Sequence, residues 1–112
     1  MSENDKPVLI YTTCPSLETA ETIAGELVEE GLSACVNIIP GMVSVYVWQG
    51  QRQRDEEVVV LVKTVGCLAD AVLERINELH PYDVPAGLII PLAGGSPEFV
   101  GWIAAQTEMR QP

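Results

Sequence analysis

His80 is the only histidine in this chain. An imidazole is the commonest side-chain metal ligand and the usual proton carrier near neutral pH. It stands where a helical pattern stops at Pro81-Tyr82, so the plainer role is a helix C-terminal cap that bonds the last carbonyls. Cys35 sits between Ala34 and Val36 at the head of a long β pattern. Its thiolate would suit copper or zinc; the ordinary alternative is a small buried thiol. Asp55, Glu56 and Glu57 open a second β pattern. Alternation puts Asp55 and Glu57 on one face, where two carboxylates suit a hard cation or serve as edge charges that discourage wrong pairing. Cys14 follows a short strand pattern and is the thiol expected to be exposed and reactive. Tyr46, Trp48, Tyr82 and Trp102 have an apolar body and a polar tip, the kind of side chain that gathers at subunit contacts.

The elements that position these residues read as follows. A short strand over residues 7–13 ends at Cys14-Pro15, and Ser16 is placed to cap a helix over 17–30. Gly31 is a natural stop for it. Residues 33–48 and about 55–64 are rich in Val and Ile and flank a turn at Gln49-Gly50-Gln51, which predicts a hairpin. At ~3.3 Å per residue the first arm would reach roughly 50 Å. A domain of this size has a diameter of roughly 34 Å. The hairpin therefore bends, protrudes or pairs with another copy of itself. Pro40-Gly41 is the expected bend, since proline inside a strand marks an edge or a bulge. A second helix spans about 66–79, an edge strand 87–92 contains Pro91, and Ser96-Pro97 opens a third helix. From about Thr107 the chain is expected to be loose.

This order, βαββαβ plus a C-terminal helix, is an α+β ferredoxin-like arrangement. It predicts one domain over residues 1–112 with an ordered core of about 7–106. Two helices cover one sheet face and the other face must meet something. A net charge of −10 with only six basic residues argues against nucleic acid. No apolar run is long enough to span a bilayer. The polar, acidic start lacks the features of a signal peptide, and three scattered cysteines suit a reducing compartment, so a cytoplasmic protein is expected. No nucleophile elbow, Walker loop or dinucleotide fingerprint is present, and the chain is not expected to be an enzyme.

Several spaced motifs in one order carry a family resemblance. They are residues 33–40 (SACVNIIP), 44–50 (SVYVWQG), Glu57, 62–64 (VKT) and 80–85 (HPYDVP), with Gly95 and Trp102. From about Val8 to Trp102 the chain resembles the CutA divalent-cation tolerance proteins. The resemblance implies a homotrimer built like the PII signalling proteins, with long hairpins that pair between subunits. It implies a part in tolerance to copper and other divalent ions, Cu(II) foremost, at inter-subunit clefts. His80, Cys35 and Glu57 are the matching metal candidates, Lys63, Tyr82 and Trp102 the cleft residues, and Tyr46 and Trp48 trimer contacts. Four positions depart from what the resemblance leads one to expect: Ala86 stands where the family usually has glutamate, Gln51 where lysine is common, Thr12 where some members have a cysteine and Leu79 where some have a second histidine. The alternative reading is a PII-like signalling or scaffold trimer that takes a small metabolite or protein partner and has no metal site of its own.

Overall fold

The computed structural model describes residues 6–112; residues 1–5, which carry most of the polar, acidic start, lie outside them. The elements run β1 (Pro7–Cys14), α1 (Leu17–Glu29), β2 (Cys35–Trp48), β3 (Gln51–Val65), α2 (Ala69–Leu79), β4 (Leu88–Pro91) and α3 (Pro97–Gln106). One four-stranded sheet has the order β2-β3-β1-β4, every neighbour antiparallel. That is the ferredoxin-like order expected.

Local chemistry sets the boundaries. The Ser16 hydroxyl accepts the Thr19 N–H at 3.1 Å and starts α1. Gly31, at φ +74°, ends it: Leu32 N–H donates to the Leu27 carbonyl and Gly31 N–H to that of Val28, a Schellman closure. The Thr64 hydroxyl then donates to the Leu32 carbonyl at 2.8 Å and ties the exit of α1 to β3. Residues 66–68 form a single 3₁₀ turn before α2, so the second helix proper is shorter than its apolar pattern. Ser96 occupies the cap position of α3 without a side-chain bond, and Pro97 pre-sets its first turn.

Alternation along β1 and β3 sends Val8, Ile10, Val58, Val60 and Val62 to the face covered by α1 and α2. There they meet Ala20, Ile23, Leu27, Val72 and Ile76, all buried. Thr12 is wholly buried on the same face, and its hydroxyl has no hydrogen-bond partner among the described residues. Arg75 crosses from α2 to α1 and grips Glu30 through two nitrogens, at 2.9 and 2.7 Å, with Glu26 and Glu78 nearby. This hydrogen bonding holds the Glu30 carboxyl below the usual range.

The hairpin outruns the domain. Its turn is two residues, Gln49 and Gly50, both at positive φ, so β3 begins at Gln51 rather than near Asp55. Between the pairs Ile39–Val59 and Met42–Glu57, β2 advances one residue more than β3, a bulge at Pro40-Gly41. Gly41 takes φ +83° there. Beyond the bulge the faces of β2 exchange parity. Val43, Val45 and Val47 now lie opposite Glu56, Arg54 and Arg52, and Ser44 and Tyr46 opposite Asp55 and Gln53. The longest dimension is 46 Å against 26 and 22 Å.

Two expectations are overturned. Cys14 is the last residue of β1 and fully buried, because alternation carries it to the helix side with Thr12. The C-terminal tail is not loose: the buried Thr107 hydroxyl donates to the Ile103 carbonyl, Gln111 Nε2 to that of Ala104, and Arg110 Nη1 to that of Glu30 at the end of α1.

Thr12→Val, which keeps the shape and removes the stranded hydroxyl, is expected to stabilise the fold by about 1 kcal/mol in denaturant melts. Arg75→Ala is expected to destabilise it at neutral pH. Because the folded pKa of Glu30 is depressed, that contribution is present above the unfolded carboxylate value and fades as pH falls through the folded one. Melts of both proteins should converge on acidification; a constant gap would refute the assignment.

Candidate functional site

The residues singled out by type fall into two corners of the sheet. The first is built where β1 ends, β3 enters the domain and α2 hands over to the loop at residues 80–87. Pro81 forces His80 out of helical geometry, to φ −81° and ψ 141°. His80 N–H makes the last helical bond, to the Ile76 carbonyl, so the cap role read from sequence is made by its backbone. Its ring turns inward and is buried. Nε2 lies 2.7 Å from the Thr13 carbonyl, and Tyr82 N–H donates to Nδ1 at 3.2 Å. A carbonyl only accepts and an amide N–H only donates, so this pattern selects the neutral Nε2–H tautomer.

Tyr82 packs its ring 4.7 Å from that of His80, centroid to centroid, and remains partly exposed. Burial pushes its hydroxyl pKa up, and the charges of Glu57 and Asp55 add to this. Across the hairpin, the Tyr46 hydroxyl donates to an Asp55 carboxyl oxygen, and that bond is the first cause of the raised Tyr46 pKa. Glu57 also acts on Cys14, whose thiol is pushed up to about 11, by burial first and then by the Glu57 charge. This corner is acidic and aromatic, with its thiol held protonated.

The second corner lies at the other end of β3. Cys35 pairs directly with Lys63 across the β2–β3 ladder, and Asn37 Nδ2 lies 3.9 Å from Cys35 Sγ. Cys35 is half-buried. The Lys63 ammonium sits 5.2 Å from the centroid of Phe99 on α3, a cation–π distance. Phe99 stacks on Trp102 at 5.6 Å, and both rings are partly exposed.

His80, Tyr82 and Glu57 therefore share one corner, and Cys35, Lys63 and Trp102 the other. From Glu57 to Lys63 along β3 is about 20 Å. Among the described residues no three His, Cys, Asp or Glu side chains come close enough to hold a metal ion. The candidate ligands of one chain do not make a chelating set among the described residues. Thr12, where a cysteine would add a ligand, points into the core. Tyr46 and Trp48 lie on one face of the protruding hairpin by alternation, both exposed. Sequence reasoning missed Phe99 as a site residue, although its spacing of three from Trp102 on a helix is a usable signal. It also missed the Tyr46–Asp55 bond, because β3 begins at Gln51, four residues before the strand start read from the sequence. Among the described residues no helix is long and apolar enough to cross a membrane.

Residues 8–106 match the family model described as CutA1 divalent ion tolerance protein. The divalent-cation tolerance protein CutA of Thermus thermophilus is 46% identical over 99 residues, covering 88% of this chain and 96% of its own length. The chloroplastic protein CutA of Arabidopsis thaliana is 39% identical over 110 residues, covering 96% of this chain, which spans 60% of that longer protein. The crystal structure of CutA1 from Oryza sativa superposes with a TM-score of 0.89 at 38% identity, covering 95% of this chain and 97% of that one.

Brief alkylation of the native, reduced protein at pH 8, followed by peptide mapping, should label Cys35 and spare Cys14. With a pKa of about 11, Cys14 is about one part in a thousand thiolate there, and it is buried as well. Equal labelling of the two thiols would refute this description of the corner.

Proposed function

This chain belongs to the CutA1 divalent ion tolerance family, and from that premise we propose that it acts as a cytoplasmic homotrimer that binds divalent cations, copper foremost, at the clefts between subunits. The observation that supports the assembly is the hairpin. Val45, Val47 and Trp48 are each more than 60% exposed on an arm that reaches past the domain. A soluble protein covers such an arm, and pairing with neighbouring copies around a three-fold axis does so. Glu57 lies at the root of this arm and Cys35 at the far end of the same strand pair. Because one subunit holds them about 20 Å apart, a shared site draws its ligands from two subunits. Tyr46 and Trp48 are the proposed trimer contacts.

A second reading is supported by the stacked Phe99 and Trp102 beside Lys63. In it the trimer is a PII-like module whose cleft takes a small molecule or protein partner through Lys63, Trp102 and Tyr82, without a metal site.

Light scattering on a size-exclusion column should give three times the 12.1 kDa chain mass. Anaerobic calorimetry of reduced protein with Cu(II) should saturate near one ion per subunit, and Glu57→Gln should weaken binding on the order of tenfold or more. A monomer would overturn the assembly. A trimer without saturable Cu(II) heat would leave the second reading.

A further inference from the structure

The His80 ring offers a sharper assignment than its residue type. A metal-bound histidine commonly donates its other N–H to a carbonyl, and the bond from Nε2 to Thr13 is of that kind. In such an arrangement Nδ1 supplies the lone pair. Here that lone pair already accepts the backbone N–H of Tyr82, two residues along the same loop. His80 is 7% exposed, and its ring packs against the tilted ring of Tyr82. A cation at Nδ1 would have to expel an amide whose hydrogen bond is partly buried, and leave that donor without its partner.

The same two bonds do structural work that no other side chain of the loop does. Residues 81–84 are exposed. The bond to Thr13 spans 67 residues of sequence and joins the end of α2 to the end of β1. The bond to Tyr82 then sets where that side chain lies, within electrostatic reach of Glu57 and Asp55. We propose that His80 is the positioning residue of this corner: its neutral imidazole latches the loop at residues 81–85 onto the end of β1, sets Tyr82 beside Glu57, and is not a metal ligand. The latch stands whether or not the trimer binds copper. Failure of the calorimetry and failure of this assignment are therefore separate results.

Nitrogen-15 NMR of the trimeric protein tests it, with Zn(II) as a diamagnetic probe. The expected spectrum has Nε2 protonated and Nδ1 bare, with both ring shifts unmoved through several-fold excess Zn(II). In His80→Ala the Tyr82 amide should exchange about tenfold faster, the loss of about one hydrogen bond. Movement of either ring nitrogen into the metal-bound range would overturn the proposal, even if the variant does not fold. So would unchanged Tyr82 exchange in a folded variant.

Discussion

The bulge at Pro40-Gly41 divides the long hairpin into a part that serves this chain's core and a part that finds no cover within it. Below the bulge, Val36 and Ile38 share the helix-covered face with Val62 and Val60. Above it, one added residue exchanges the parity of β2, and the valine row continues into solvent. An apolar arm of this length exceeds what a chain of 112 residues buries alone. The proposed assembly, the clefts it creates and the separation of the candidate ligands all follow from that geometry.

The stretches of β3 around Glu57 and around Lys63 differ in electrostatic character. At the hairpin root the pKa values of Tyr46, Tyr82 and Cys14 are all raised, for Tyr46 first by its bond to Asp55 and for Tyr82 and Cys14 first by burial, with the Glu57 charge adding to each. Such a corner offers carboxylate oxygen and withholds thiolate. Nearer the C-terminal end of β3, Cys35 pairs with Lys63, whose ammonium lies over Phe99. Carboxylate and thiol side chains are thereby segregated along one strand pair.

Much of the fold was legible in the residues. Ser16, Gly31 and Pro97 mark helix ends because cap chemistry is local, and the mismatch between arm length and domain diameter needs only arithmetic. The failures share a cause in tertiary contact. Cys14 was placed in a loop because Pro15 follows it, yet pairing with Val58 extends β1 through it. The tail looked loose because its anchors, the Glu30 and Ala104 carbonyls, carry no side-chain signal. The family motif around His80 was visible, but its partner is a backbone carbonyl on another strand, which no spacing reveals. Tyr46 and Asp55 meet because the two-residue turn at Gln49-Gly50 pairs Tyr46 with Gln53 and Ser44 with Asp55, a register hidden when the second strand is read from about Asp55.

The bulge also sets a rule for how such an arm changes in evolution. Beyond Pro40-Gly41 neither strand contributes to the buried core, so the arm can lengthen or shorten without disturbing the packed helices. Side chains alternate with a period of two, so such changes must come as matched pairs on both strands if the valine row is to stay on its side. An unmatched single insertion would act as a second bulge and cancel the parity exchange of the first. Reach and facing are thus two independent heritable settings of the arm, one carried by the number of residue pairs and the other by a single extra residue at its root.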